Sequence, residues 1–337
     1  MIRHREIGSE FWDVPIIQEQ NNLFPESIQW FLSGRSALQA IIKELKNCHT
    51  VAMPSWCCDS MVKPFIDAGI RVHFYHVYFY ERLVEEIEDD SDVLFLMDYF
   101  GYTGKQPDLT GYKGIVIRDV THSIFSSVYA DADYYFGSLR KWCGVWTGGY
   151  AWKKDGHPLN MGKESSDDFG YVSLREKAMN LKNGFIHGWD VTDKGYLRIF
   201  DEAEDTLENV GIVPAADRDV ELAMKLDVDF IKAQHRANAE VLMAAFPEWL
   251  IFPNLSSTDT PMFVPILIPN NKRDELWRYL INCAIYCPIH WPISEYHKLD
   301  KKAETIYMNE ISLVCDQRYT EEDMYRMVDT IKAFMEV

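Results

Sequence analysis

The sequence contains no apolar run near the roughly 20 residues that a membrane-spanning helix requires. Its first six residues carry charge and lack the apolar core of a secretory signal. Positive charge is also scarce: 34 Lys and Arg stand against 52 Asp and Glu, a formal net charge of −18. So few basic side chains cannot neutralise many phosphates, which argues against a nucleic-acid partner. We therefore expect a cytoplasmic protein with neither a nucleic-acid nor a membrane partner.

Paired cysteine motifs are absent as well. The seven cysteines are irregularly spaced and form no CxxC pair, so we expect reduced thiols and no metal site. Apolar residues, in contrast, make up 47% of the chain, which is enough for a large buried core. A small-molecule site depends on local charge only, and the acidic balance does not argue against one.

Short apolar segments alternate with helical patterns through most of the chain. Val93 to Met97 is a continuous apolar run, as in a strand buried on both faces. Such alternation predicts an α/β fold with a mainly parallel central sheet covered by helices. The predicted strands are 51–53, 71–75, 93–97, 114–120, 132–136 and 149–152. We expect the acidic run from Glu85 to Asp92 to be a solvated helix end and loop.

The pattern changes near residue 215. One long helix is predicted over 219–246, followed by strands near 262–268 and 283–289 with a helix over 272–282 between them. Thr320 should cap a final helix, with Asp323 three residues on. We predict an N-terminal arm over 1–30, a large domain over 31–214 and a small α+β C-terminal domain over 215–337.

A turn at Gly34-Arg35-Ser36 leads into a predicted helix. The first amides of a helix have no partner within it and lie at the positive end of its dipole, so they bind phosphate well. An ordinary capped helix start has the same pattern, and by itself this signal is weak.

Asp119 ends the apolar strand Ile115 to Ile117, at the sheet edge where α/β proteins bind ligands. His122 follows three residues later. A carboxylate beside a buried strand needs a partner, and a protonated pyridine nitrogen is a suitable one. Asp119 could also simply cap the next turn through its side chain.

Lys141 follows the next predicted strand, with Ser138 three residues before it. A lysine at a strand end can form an imine with an aldehyde and then transfer protons at the substrate carbon. Taken alone, Lys141 would more simply be a solvated loop lysine. Ser138 is suited to donate to a phosphate. A phosphate turn, a strand-end Asp and a strand-end Lys in this order predict a site for pyridoxal 5′-phosphate (PLP).

The same segments resemble the DegT/DnrJ/StrS aminotransferases, which act mainly on keto-sugars attached to nucleotides. The resemblance covers roughly residues 30–155 and rests on Ser33 to Leu38, Met53 to Cys58, Asp98 to Gly101, Arg118 to Ser123, Ser138 to Lys141 and Gly148-Gly149. It implies the fold-type-I PLP architecture, a homodimer with shared active sites, and small-molecule amino donors and keto acceptors.

The resemblance also implies roles for single residues. Lys141 would form the internal aldimine, Asp119 would meet the pyridine nitrogen beside His122, and Gly34, Arg35 and Ser36 would present amides to the phosphate. Either Trp56 or Cys58 would cover the cofactor ring. This chain departs from the family at Arg35, where the family usually has Thr, and at Arg118, where it has Glu.

Three residues in the C-terminal half are candidate substrate contacts. His290 and Trp291 could line the substrate pocket or simply pack. Arg318 could hold a substrate carboxylate, or equally form a domain-bridging salt bridge. We interpret the chain as a PLP-dependent aminotransferase. Two alternatives stay open: another PLP reaction on the same fold, such as sulfur transfer through Cys57, Cys58 or Cys143, and a catalytically silent ligand-binding or scaffold protein.

Overall fold

The computed structural model describes residues 6–87, 90–104, 106–126, 131–160, 167–189, 191–297 and 301–336. The chain divides into two compact units, each made of two separate stretches. The first unit comprises Met1–Leu45 and Tyr134–Val228, and the second comprises Lys46–Asp133 and Asp229–Val337.

The secondary structure alternates between strands and helices along the chain. The strands are β1 (Ile7–Gly8), β2 (Gln29–Phe31), β3 (Thr50–Pro54), β4 (Arg71–Tyr80), β5 (Arg82–Glu86), β6 (Val93–Met97), β7 (Ile115–Asp119), β8 (Tyr134–Ser138), β9 (Gly149–Lys153), β10 (Phe263–Leu267), β11 (Ile285–Tyr286) and β12 (Glu310–Val314). The helices are α1 (Gly34–Ile42), α2 (Asp59–Asp67), α3 (Tyr171–His187), α4 (Tyr196–Thr206), α5 (Asp217–Met224), α6 (Val228–Ala245), α7 (Arg273–Asn282), α8 (Lys301–Asn309) and α9 (Glu321–Met335), with short 3-10 helices at Leu139–Lys141 and Pro269–Asn271.

The first unit contains three antiparallel neighbours in the order β2-β9-β8. Their register pairs Gly149 with both Phe31 and Ser138, so the end of β2, the start of β9 and the end of β8 meet at one edge. Helix α1 buries Leu38, Ile41 and Ile42 as one apolar stripe, which is the amphipathic pattern of the predicted helix. The α3 and α4 helices complete this unit around buried aromatic side chains.

The predicted helix over 219–246 is wrong in one respect: it is two helices, α5 and α6, with a break at 225–227. Backbone pairing with the N-terminal segment causes the break. The amide of Ile17 donates to the carbonyl of Lys225 at 2.8 Å, and the amide of Asp227 donates to the carbonyl of Pro15 at 3.0 Å. They flank an isolated antiparallel bridge between Ile16 and Leu226, which takes the place of the helical hydrogen bonds at this point.

The second unit contains five neighbouring strands in the order β7-β6-β3-β4-β5. The first four are parallel, as predicted, and β6 is buried along its whole length. Because parallel strands end at the same edge of a sheet, the residues after β3, β6 and β7 share one edge. Asp119 and the Trp56 segment lie there.

The expectation of a helix end and loop from Glu85 to Asp92 is wrong for its first two residues, whereas residues 87 and 90–92 lie in a loop. Glu85 and Glu86 belong to β5, an edge strand antiparallel to β4, while residues 88 and 89 lie outside the described part. Their carboxylates have local partners: the Tyr78 hydroxyl donates to Glu86 at 2.6 Å. Charge on an edge strand discourages pairing with a further strand, and an acidic run is therefore compatible with β structure.

The rest of the second unit follows the prediction more closely. Strands β10 and β12 are antiparallel, and α7 begins and ends within one residue of its predicted bounds. Thr320 and Asp323 form the capping box of α9. The predicted strand over 283–289 is reduced to the two residues of β11.

No helix in the described residues is long and apolar enough to cross a membrane. The predicted boundaries at residues 30 and 214 remain predictions, and residues 1–5 of the proposed arm lie outside the described part.

Candidate active site

A narrow corner in the first unit brings three predicted residues together. We call it the phosphate corner and define it as Ser33, Gly34, Arg35, Ser138 and Gly149. A Cβ atom added to Gly34 would lie 3.4 Å from the carbonyl oxygen of Gly137 and from the Cβ of Ser138. A Cβ atom on Gly149 would lie 2.0 Å from the carbonyl oxygen of Ser33, so only glycine permits this approach of the two backbones.

Ser138 carries the most informative atom of the phosphate corner. Its hydroxyl is buried and makes no hydrogen bond within the described residues. Such an orphan is uncommon in proteins and is expected where a ligand supplies the partner. The first turn of α1 begins beside it, and the amides of Gly34 and Arg35 have no partner inside the helix. This arrangement fits a phosphate group.

Ser36 is already engaged in other contacts. The Ser33 hydroxyl accepts from its amide at 3.1 Å as the cap of α1, and its own hydroxyl donates to the carbonyl of Gly211 at 2.8 Å. Among the three residues of the predicted turn, Gly34 and Arg35 are therefore better placed than Ser36 to present backbone amides to an anion.

Lys141 ends the 3-10 helix directly after β8 and is exposed in the single chain. Its charge contributes to lowering the pKa of two nearby carboxylates, after Arg175 at Glu10 and after Arg140 at Glu204. The neighbouring Arg140 forms an ion pair of 2.5 Å with Glu204, which compensates its charge beside Lys141. Burial acts to raise the pKa of Glu204, but the charge and hydrogen bond of Arg140 and the charges of Lys141 and Arg175 together lower it to about 2.

Sequence reasoning missed two residues of this region. Tyr171, at the start of α3, is fully buried, and its hydroxyl has no hydrogen-bond partner among the described residues. Burial raises its pKa to about 12, so the phenol remains a proton donor at neutral pH. Arg175 donates two bonds of 3.2 Å to Glu10. A Tyr and an Arg four residues apart, and so on one face of α3, were the available signal.

Asp119 in the second unit ends β7 and is almost completely buried. Its Oδ1 accepts from the amide of Thr121 at 2.8 Å. Burial raises the pKa of the carboxyl group to about 6, against hydrogen bonds from Thr121 that lower it. A buried carboxyl group at a sheet edge that is mostly ionised at neutral pH is a suitable partner for a cationic ring nitrogen.

His122 has a defined tautomer. Its Nδ1 accepts a hydrogen bond from the backbone amide of Phe100 at 3.2 Å, so in the neutral ring the proton lies on Nε2. The ring lies nearly parallel to that of Trp291, with centroids 6.0 Å apart and an interplanar angle of 15°. His122 therefore presents a donor, and it does so from within a group of aromatic rings.

That group, which we call the aromatic cluster, consists of Trp56, Tyr99, Phe100, His122, His290 and Trp291. Trp56 is fully buried, stacks on Tyr99 at 5.0 Å, and donates its Nε1–H to the carbonyl of His290 at 2.6 Å. Cys58 lies before α2, with its sulfur 2.8 Å from the Ser60 hydroxyl. That either Trp56 or Cys58 would cover a cofactor ring stays a prediction. One face of the Trp56 ring is already covered by Tyr99.

Arg118 stands where the DegT/DnrJ/StrS aminotransferases usually have Glu. It is buried and paired with Asp98. Asp98 also accepts from the Ser123 hydroxyl at 2.5 Å. The departure from the family pattern is thus charge-compensated inside this chain, and it leaves Asp119 at the strand end undisturbed.

The candidate substrate residues fall into two places. His290 and Trp291 belong to the aromatic cluster, near His122. Arg318 lies in the loop between β12 and α9, and its Nε and Nη2 donate to the two carboxylate oxygens of Asp316 at 2.8 and 2.7 Å. Within the described residues, no group of three His, Cys, Asp or Glu is arranged to hold a metal.

Known proteins resemble the chain in fold rather than in sequence. No family model and no curated relative matches it. A DegT/DnrJ/EryC1/StrS aminotransferase from Brucella abortus matches over 91% of this chain and 85% of its own, with a TM-score of 0.60 and 14% identity. PseC of Helicobacter pylori, an aminotransferase of pseudoaminic acid biosynthesis, matches over 97% and 100%, also at 0.60 and 14%. The chain has the fold of these aminotransferases.

A third structure with this fold is NtdA from Bacillus subtilis, solved with bound cofactor PMP. It matches over 92% of this chain and 73% of its own, with a TM-score of 0.58 and 13% identity. The fold predicted from the sequence is therefore confirmed, and the roles of the individual site residues stay predictions.

Proposed function

We propose that this protein is a PLP-dependent aminotransferase, which moves an amino group from an amino-acid donor to a keto or aldehyde acceptor. The observation that carries the proposal is the phosphate corner on the aminotransferase fold. The buried Ser138 hydroxyl without a partner lies beside the first turn of α1, three residues before Lys141. An anion there would satisfy the hydroxyl and the helix amides together.

The proposed roles follow from the contacts of each residue. The Ser138 hydroxyl and the amides of Gly34 and Arg35 would hold the phosphate. Lys141 would bind the cofactor covalently and move the proton at the substrate carbon. When bound, PLP supplies an electron sink for the developing carbanion. Asp119 would keep the ring nitrogen protonated.

The acceptor class is a hydroxylated carbonyl compound, and a nucleotide-linked keto-sugar is our specific proposal. Its support is indirect: it comes from the sequence resemblance and from the fold shared with PseC, which serves pseudoaminic acid biosynthesis. A homodimer with shared active sites and a cytoplasmic location belong to the same proposal. Size-exclusion chromatography with light scattering measures the oligomeric state directly. A monomer would reject the proposed homodimer.

Sulfur transfer is a weaker candidate. Burial raises the pKa of Cys57 well above that of an ordinary thiol and that of Cys143 to about 12. Thiols held in the protonated form are poor nucleophiles, because the thiolate is the reactive species. The buried thiols therefore support a structural role.

The proposal is tested with purified protein and added PLP. We expect a visible absorption band, loss of that band on addition of L-glutamate, and a borohydride-fixed label on the peptide containing Lys141. Lys141→Ala should abolish the label. Lys154→Ala replaces an exposed lysine in the turn after β9 and should keep the label. Absence of the band rejects the function, and a label on another lysine rejects the site.

A further inference from the structure

A buried carboxylate and a hydroxyl group form a series of hydrogen bonds with His290. Glu310, the first residue of β12, is completely buried in a strand that is buried along its whole length. Its Oε1 accepts from the Ser312 hydroxyl at 2.5 Å, and its Oε2 accepts from the backbone amide of His290 at 2.7 Å. The Ser312 oxygen in turn lies 2.8 Å from Nδ1 of His290.

With Glu310 as a carboxylate, the donors and acceptors of this series of hydrogen bonds have one consistent assignment. A carboxylate only accepts, so the single hydroxyl proton of Ser312 is committed to Glu310. The Ser312 oxygen must then accept from His290, which places a proton on Nδ1. Oε1 of Glu310 lies 3.9 Å from the same nitrogen.

His290 and His122 thus have opposite tautomers within the aromatic cluster. Their ring centroids are 6.2 Å apart. His122 accepts at Nδ1 and carries its proton on Nε2, whereas neutral His290 carries its proton on Nδ1 and accepts at Nε2. One ring supplies a donor and the other an acceptor to the same region of the second unit.

We propose that His290 is a substrate-binding residue whose Nε2 accepts a hydrogen bond from a hydroxyl group of the acceptor substrate, and that Glu310 and Ser312 are positioning residues that fix this state. The assignment to the acceptor rests on the proposed function. The fixed Nδ1 proton does not, because it follows from contacts within the protein.

The proton positions are measured by two-dimensional NMR of the full-length protein labelled with ¹⁵N in its ten histidines. His290→Gln removes one set of signals and thereby assigns His290. We expect the wild-type ring to show a protonated Nδ1 and an unprotonated Nε2 at a pH where the ring is neutral. A protonated Nε2 in that ring would overturn the proposal.

Glu310→Gln provides the sharpest variant. Its amide oxygen must face the His290 amide, which only donates, so its NH2 group must face Ser312. The Ser312 hydroxyl then turns to donate to Nδ1, and the tautomer inverts. Ser312→Ala, which removes the relay without a new donor, should give both tautomers. Glu304→Gln, at an exposed position of α8, is the matched control and should leave the His290 signals unchanged.

The substrate contact is tested with UDP-glucose as a hydroxylated stand-in for the acceptor. We expect it to shift the Nε2 signal of His290 in the wild type and to shift it several-fold less in Glu310→Gln. No shift at saturating concentration in the wild type would overturn the assigned contact. If the protein takes up no PLP but shows the fixed Nδ1 proton, the proposed function fails and the positioning roles of Glu310 and Ser312 stand.

Discussion

The candidate site residues of the two units differ in how completely their polar groups are paired. In the first unit, the buried hydroxyls of Ser138 and Tyr171 have no partner among the described residues. In the second unit, Asp119, His122 and His290 each have a hydrogen-bond partner in the protein. The first set therefore lacks interactions that a ligand would supply, whereas the second set is held in place beforehand.

This difference indicates where binding energy would be realised. A ligand that satisfies an orphaned buried hydroxyl removes a penalty of about 1–3 kcal/mol from the unliganded protein. Side chains that are already paired gain less, but they provide fixed donors and acceptors that select the ligand. We expect the first unit to contribute mainly affinity for the cofactor and the second mainly orientation and specificity.

The largest effect should come from Gly149→Ala. The new Cβ would lie 2.0 Å from the carbonyl oxygen of Ser33, a backbone atom that cannot rotate away. We expect a loss of about 4 kcal/mol or more in the free energy of unfolding, measured with urea. Gly211→Ala, where no atom lies within 4 Å, is the control and should change it by less than about 1 kcal/mol.

Hydrogen exchange would show which part of the chain this variant affects. Protection should fall around α1 and β9 while the amides of β6 keep theirs. Equal stability of the Gly149 and Gly211 variants would contradict the close approach that defines the phosphate corner.

The second effect concerns Asp119, whose raised pKa makes the unliganded protein less stable as pH increases. Between about pH 4 and pH 6 the folded state retains a proton that the unfolded state has lost, so stability falls over that window. Asp119→Asn removes this loss and can still accept from Thr121. We expect the variant to be more stable than the wild type at pH 7 by up to about 3 kcal/mol, with the gain vanishing near pH 4.

The same variant should lose transamination activity, because an amide cannot hold a ring nitrogen in its protonated form. Urea unfolding at several pH values measures the stability difference, and Asp329→Asn, at an exposed position on α9, controls for the loss of one negative charge. A gain that does not depend on pH would contradict the buried, titrating carboxylate.

Ser138→Ala tests the orphaned hydroxyl directly. The unliganded protein should be as stable as the wild type or about 1 kcal/mol more stable, because a buried hydroxyl without a partner is removed. The affinity for PLP should fall about 10- to 100-fold, as expected for a lost hydrogen bond to a charged group. Calorimetric titration with PLP measures the affinity.

Ser126 in the second unit is the matched control. Its hydroxyl donates to the carbonyl of Gly101 at 2.7 Å and accepts from the amide of Thr260 at 3.1 Å. Ser126→Ala should therefore lose about 1–2 kcal/mol of stability and leave the PLP affinity unchanged. Similar stability changes in the two serine variants would contradict the difference in hydrogen bonding between the Ser138 and Ser126 hydroxyls.

The smallest effect should come from Arg318→Lys. Asp316 occupies the guanidinium group through two bonds, which favours a structural salt bridge within the second unit over a substrate contact. Lysine cannot reproduce the two-pronged geometry, and we expect a loss of about 1 kcal/mol in stability with no change in KM for L-glutamate. A KM increase without a stability change would support the carboxylate-binding role instead.

Local pattern was sufficient for much of the fold. The apolar run of β6, the stripe of α1 and the Thr320 cap are each set by neighbouring residues, and the structure has all three. The break between α5 and α6 was not predictable in this way. It depends on hydrogen bonds with Pro15 and Ile17, which lie far away in the sequence. The apolar periodicity of residues 219–246 contains no sign of these bonds.

The candidate site shows the same limit. Asp119 and Lys141 were singled out because one ends and the other follows an apolar strand, which is a local signal, and their roles stay predictions. The relay through Glu310 and Ser312 was missed because its members converge on His290 only through the fold. A glutamate at the start of the buried strand Glu310–Val314 was the available signal, since a buried carboxylate requires donors.

The division of each unit into two stretches has a consequence for the growing chain on the ribosome. The segment up to Leu45 emerges first, but the rest of its unit begins only at Tyr134. Until then the apolar face of α1 lacks β8 and β9, the two later strands that contact it in the finished protein. The intervening strands β3 to β7 can pair among themselves during that interval. We therefore expect nascent chains that end before Tyr134 to expose the N-terminal segment and to bind chaperones until the segment containing β8 and β9 appears.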